Sequence, residues 1–290
     1  MRSNKKMNYF KKYITPEQEI FRNIQYLDPQ CPPKEFKYRE TEMTTIASKI
    51  SPIFYDSVPI PTIILGGNAT GKTTAIKKLF QELEETITEI ITVYINCRKK
   101  YTEAPIYREI YKNVLNKEAP KHGYSNQNLF HDAMITLKEN NQSLIIALDD
   151  INYLLGNDTH IASPIGQRII QKLTRANEDY GVNIGIYPLL TSEEFKYQFD
   201  RDVQSTFIPT EVHFKPYSRE EVFNIIKERC DYVFFKQIPD DVLMIITEEV
   251  LKDNNLRNAW NLLKKLGIRM KIEEKEPSIK LIKEVIEEEL

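Results

Sequence analysis

Apolar positions in this chain switch repeatedly between helical spacing and short continuous runs. Over 38–54, Met43, Ile46, Ala47, Ile50 and Ile53 recur at three- and four-residue intervals, one face of a helix that ends at Pro52 or soon after. Residues 60–65 (IPTIIL) then form an apolar run, and Ala75, Ile76, Leu79, Phe80 and Leu83 return to helical spacing. A second run covers 90–95 and ends at Asn96-Cys97-Arg98; helices are predicted over 105–117 and 125–140, separated by Pro120 and Gly123. The run at 143–150 is continuously apolar until Asp149-Asp150, the pattern of a strand buried on both faces of a parallel sheet. A helix over 164–179, a strand over 182–187, a short helix over 192–199 and a strand over 211–214 complete the alternation. Strands alternating with helices predict an α/β domain with a mostly parallel sheet.

Beyond Ser218 the strand signals stop. Ser218-Arg219-Glu220-Glu221 reads as a capping box, with Val222, Ile225, Ile226 and Arg229 at helical spacing behind it. Three further helices are predicted over 239–251, 257–271 and 278–290. At the other end, Pro29, Pro32 and Pro33 interrupt any helix, and only Ile20-Phe21 and Leu27 break the polar character. The resulting division is an extended arm (1–40), an α/β domain (41–216) and a helical domain (217–290).

The chemistry sits where the first strand meets its helix. Gly66-Gly67-Asn68-Ala69-Thr70-Gly71-Lys72-Thr73-Thr74 follows the apolar run directly and matches G-x-x-x-x-G-K-[ST] in its strand–loop–helix setting. Glycines let the backbone wrap closely around phosphates with N–H groups turned inward, and the following helix adds a positive end. Lys72 is placed to reach the β- and γ-phosphates, and the Thr73 hydroxyl to ligate Mg²⁺. The loop therefore predicts binding of a nucleoside triphosphate, ATP or ADP, with Mg²⁺. Asp149, ending an apolar strand, is the second metal residue such a site needs, and Asp150 is the candidate to orient the attacking water. An Asp is one methylene shorter than the Glu found at that place in many related ATPases, so hydrolysis is expected to be slow or absent.

Composition adds exclusions. The 290 residues carry a net charge of −2 and show no apolar run long enough for a bilayer, and no signal core follows the basic start. A cytoplasmic protein with no membrane partner is expected. Cys31, Cys97 and Cys230 lack paired spacing, as do the four histidines, which argues against a zinc site or a disulfide frame. Charge is uneven, with nine Lys/Arg against five Asp/Glu in the first forty residues. The arm and Arg98-Lys99-Lys100-Tyr101 are the candidate contacts for duplex DNA, weak and salt-sensitive.

The order of these segments resembles the AAA+ ATPases of the archaeal origin-recognition and helicase-loading initiator family. Beside the phosphate loop, the resemblance is carried by Ile20-Phe21-Arg22-Asn23, Leu27-Asp28-Pro29, Tyr38-Arg39-Glu40, 94–98, 173–178, 203–205 and Phe214-Lys215-Pro216-Tyr217. It implies an AAA+ core with a parallel five-stranded sheet followed by a small all-α lid. It further implies that Thr191 stands at the sensor position, that Arg257 reaches back from the lid to the phosphates, and that 33–39 packs the adenine. Replication-machinery proteins are the implied partners. The chain departs from the family pattern at Asp150, at Thr191, at Asn254-Asn255 and at the trans-acting arginine, which aligns with Asp202, one residue after Arg201. It also stops where relatives continue into a winged-helix domain, so much of the family's DNA grip is expected to be missing. A replication switch gated by nucleotide is the leading reading; the alternative is a non-hydrolysing ATP-binding adaptor that contacts proteins and no DNA. The oligomeric state is left open.

Overall fold

In a computed structural model of the chain, which describes residues 20–155, 164–191 and 201–288, the apolar runs form five parallel strands. They are Thr62–Leu65 (β1), Ile90–Asn96 (β2), Ser143–Asp149 (β3), Ile184–Leu190 (β4) and Thr210–His213 (β5), ordered β2-β3-β4-β1-β5. Parallel neighbours require crossovers, and helices supply them. Glu40–Ile50 (α1) precedes β1, Lys72–Thr86 (α2) joins β1 to β2, and Glu103–Leu115 (α3) with Asn126–Glu139 (α4) join β2 to β3. Asn152–Leu155 (α5), Pro164–Thr174 (α6) and Ala176–Tyr180 (α7) lie between β3 and β4, and Arg201–Thr206 (α8) precedes β5.

β4 is buried at every position and β3 at every position after Ser143, as continuous apolar runs covered on both faces require. Ile63, Val93, Ile146 and Ile186 meet Ile110, Phe130, Leu137 and Leu173 of the helices in one core.

β4 runs three residues past its predicted end at Tyr187, straight through Pro188. A proline in a central strand normally forfeits a ladder bond. Here it falls at a seam: the register with β3 ends at Leu148↔Pro188, and that with β1 begins at Ile64↔Leu189. The helix predicted over 192–199 lies outside the described residues, as do residues 1–19 of the basic arm.

The chain divides into two compact units, Tyr38–Lys215 and Met1–Lys37 with Pro216–Leu290. The second contains Arg219–Val233 (α9), Asp240–Asp253 (α10), Leu256–Glu273 (α11) and Ile279–Glu287 (α12), around a core that includes Leu27, Ile226, Ile246, Leu263 and Ile282. The capping box at Ser218 is formed in both directions, Glu221 N–H to Ser218 Oγ (3.3 Å) and Ser218 N–H to Glu221 Oε2 (2.7 Å). Residues 20–27 are laced to these helices. Phe21 bridges Phe234 in antiparallel fashion, Arg22 N–H donates to Val233 O (2.7 Å), and Arg229 Nη1 donates to Tyr26 O (2.9 Å). Gly267 on α11 leaves room for the Phe21 ring, since a Cβ there would lie 2.3 Å from Phe21 Cζ.

Candidate nucleotide site

Between Leu65 at the end of β1 and Lys72 at the start of α2, the chain turns with Gly66 at φ +155°, Ala69 at +57° and Gly71 at +96°. Gly66 is required sterically as well. An added Cβ would meet the Phe214 carbonyl oxygen at 2.4 Å and Phe214 Cβ at 2.9 Å, so the residue after β5 backs the loop. Thr70 Oγ1 donates to Gly67 O at 3.0 Å and closes the turn on itself, while Gly67 and Asn68 remain exposed. Lys72 is 7% exposed; its ammonium donates to Gly66 O (2.6 Å) and Gly67 O (2.8 Å) and is held across the loop. Thr73 and Thr74 follow on the first turn of α2.

Asp149 ends β3 and is 4% exposed. Its Oδ2 accepts from Thr73 Oγ1 at 2.7 Å and from the Tyr94 hydroxyl at 2.6 Å. Burial first, then the Asp149 charge, pushes the Tyr94 hydroxyl well above its ordinary pKa, so it remains a donor. Asp150 follows at φ +56°, half-buried, in the left-handed region that Asp and Asn enter more readily than other side chains. Thr191 follows β4, whose Leu190 carbonyl accepts from Gly66 N–H at 3.2 Å. Residues 66–74, Asp149, Asp150 and Thr191 therefore gather at the carboxyl edge of the sheet, where ligands of open parallel sheets sit. Arg257 belongs to the other unit, exposed on the first turn of α11, where its N–H donates to Asn255 Oδ1 (3.3 Å). Asp202 is exposed on α8.

Two residues of this edge make contacts not expected from the sequence. Tyr94 is expected as a strand residue and within the 94–98 piece of the resemblance, without a site role; the alternation Thr92-x-Tyr94-x-Asn96 puts polar-tipped side chains on one face of β2. Arg39 fell in the segment expected to pack adenine, yet it is 4% exposed and donates from Nε to Thr70 O at 2.9 Å.

The residues present fit a magnesium nucleotide. A hydroxyl and a carboxylate 2.7 Å apart supply the hard oxygen donors that Mg²⁺ prefers. The glycine cradle, a lysine beside it and the start of a fifteen-residue helix supply the anion side.

Sheet order, loop and strand-end carboxylate define a P-loop protein of the AAA+ class. A family described as "AAA domain" matches residues 61–184. The "ORC1-type DNA replication protein 2" of Methanothermobacter thermautotrophicus is 36% identical over 253 residues, covering 87% of this chain and 65% of that protein. The "ORC1-type DNA replication protein 3" of Haloarcula marismortui is 30% identical over 261 residues, covering 87% and 67% respectively. The chain belongs to this family of ORC1-type DNA replication proteins, and it spans about two thirds of the length of these relatives. In fold it is similar to the Aeropyrum pernix ORC1 protein, solved in complex with DNA, with a TM-score of 0.78 at 22% identity, covering 94% of this chain and 70% of that one. Among the described residues no helix is long and apolar enough to cross a membrane.

Proposed function

We propose that this chain is an ATP-binding switch of DNA replication, acting in origin recognition or helicase loading, with slow or no ATP hydrolysis. The observation that carries this is the Thr73–Asp149 hydrogen bond beside a lysine already held over the loop. In this reading the backbone of Gly66, Gly67, Asn68, Ala69, Thr70 and Gly71 receives the phosphates, Lys72 neutralises them, and Thr73 with Asp149 holds Mg²⁺, with Thr74 on the same helical turn. Magnesium, when bound, offsets phosphate charge. Thr191 senses the terminal phosphate and Arg257 contacts it from the helical unit, tying the arrangement of the units to the nucleotide. Asp150 orients water from a left-handed backbone position, and its short side chain limits turnover.

The relatives' names and the DNA in the Aeropyrum pernix complex support a role at DNA, here through residues such as Arg98 and Lys99. Isothermal titration tests the site: ATP with Mg²⁺ binds the wild type, and Lys72→Ala weakens binding at least about tenfold, the loss of one charge-assisted contact. Unchanged affinity in Lys72→Ala refutes it. Asp202, exposed where a trans-acting arginine would stand, favours a second reading, a protein-binding adaptor. A salt titration of duplex-DNA binding separates the two, since absence of binding at low salt leaves the adaptor.

A further inference from the structure

The buried Arg39 guanidinium donates to backbone carbonyls from three separate places. Nε donates to Thr70 O (2.9 Å), Nη1 to Tyr38 O (2.7 Å) and Nη2 to Lys215 O (2.7 Å). Glu42 lies 3.6 Å from Nη1, and the Phe214 ring centroid is 5.8 Å from the guanidinium carbon. Thr70 belongs to the phosphate loop. Tyr38 and Lys215 are the first and last residues of the α/β unit, so the chain crosses to the other unit immediately before one and immediately after the other. One side chain thus holds the loop and both crossings.

We propose that Arg39 is a positioning residue that couples the nucleotide-bound state of the phosphate loop to the two chain crossings between the units. The proposal rests on the nucleotide reading above and names the part that would transmit it. A guanidinium is a rigid planar fork, so its acceptors cannot shift independently. A trans peptide is planar, with C=O and N–H opposed, so anchoring Thr70 O toward Arg39 turns the Gly71 N–H away from Arg39. A rotation of that peptide as the loop closes on an anion pulls on the same fork that fixes Tyr38 O and Lys215 O. Phe214, which backs Gly66 and stacks near Arg39, gives the Lys215 crossing a second tie to the loop.

The test uses the full chain with donor and acceptor dyes at Glu139→Cys on α4 and Lys280→Cys on α12, both exposed, in a Cys31→Ser background; Cys97 and Cys230 are buried. Energy transfer is recorded with ADP and with a non-hydrolysable ATP analogue, before and after Arg39→Lys, which keeps the charge but loses the fork. The expected result is a nucleotide-dependent difference in the parent chain that disappears in Arg39→Lys, with ADP affinity down about tenfold. Equal affinity and an equal difference in Arg39→Lys overturn the proposal. A parent chain that binds both nucleotides with no difference in transfer also overturns it, while leaving the binding reading intact. A parent chain that binds neither removes both.

Hydrogen exchange on the unsubstituted protein covers the case in which Arg39→Lys fails to fold. Nucleotide should change protection at 66–73, 38–40 and 214–217 together. A change confined to 66–73 overturns the coupling.

Discussion

Replacing Tyr94 by Phe isolates one bond at the Asp149 carboxylate, the proposed metal ligand. The substitution keeps the ring and removes a 2.6 Å hydroxyl bond to an oxygen that also accepts from Thr73. A bond to a charged acceptor contributes about 1.5–3 kcal/mol. Asp149 retains the 2.7 Å bond from Thr73, so it is not stranded, and the loss belongs near the lower end, about 1.5–2 kcal/mol. For a unit of this size that is a fall in Tm of about 3–8 °C, readable by calorimetry. The two donors share one oxygen, so removing either lets the other strengthen. The double variant with Thr73→Val should therefore lose more than the two single losses added together, by about 0.5 kcal/mol or more. Nucleotide affinity should fall in Mg²⁺ and hold steady in EDTA, because the damage is confined to the metal side. A melt matching the wild type, or strictly additive losses, refutes the view that Tyr94 and Thr73 jointly orient Asp149.

Three further outcomes follow from the geometry. Gly66→Ala places a methyl 2.4 Å from the Phe214 carbonyl at a backbone angle foreign to alanine, and should lower stability by about 2–5 kcal/mol in a denaturant melt. Asp150→Glu restores a methylene of reach and should raise ATP turnover by roughly ten- to hundredfold in a phosphate-release assay, at about 1 kcal/mol of stability for a Glu in the left-handed region. The Lys172 ammonium lies over the Tyr107 and Phe130 rings, and burial holds its pKa below the ordinary lysine value. A depressed lysine pKa opposes folding while the group is charged and is relieved as pH rises through the folded value, so Lys172→Met should raise Tm near neutrality, with a smaller gain as pH approaches about 10.

What the sequence disclosed were features defined by near neighbours. The runs ending at Leu65 and Asp149, the glycine loop and the Ser218 capping box are patterns a few residues long, and each formed where the pattern stood. Features set by distant partners were silent. Arg39 stands in the 33–39 segment expected at the adenine, and nothing near it in the sequence signals its bond to Lys215, 176 residues later. Residues 20–27 lack periodicity because their burial is conferred from outside, by Val233, Phe234 and the opening at Gly267. The three residues by which β4 outruns its predicted end, Pro188 to Leu190, are likewise fixed by distant partners, Leu148 of β3 and then Ile64 and Leu65 of β1.

The loop's shape is therefore the property of a whole unit. Phe214 backs it at Gly66, Arg39 pulls it at Thr70, and Asp149 with Tyr94 fixes its exit at Thr73. Such bracing leaves little ordering to be done when an anion arrives. In the proposed nucleotide-bound state Lys72 would change most, exchanging the carbonyls of Gly66 and Gly67 for phosphate oxygens. The ammonium already donates charge-assisted bonds to these carbonyls, and phosphate oxygens add the attraction of an opposite formal charge, so the exchange favours binding. It also frees two carbonyls at the start of the loop. Those carbonyls flank the segment that Phe214 and Arg39 hold, which makes Lys72 the natural trigger and Arg39 the natural transmitter of the same event.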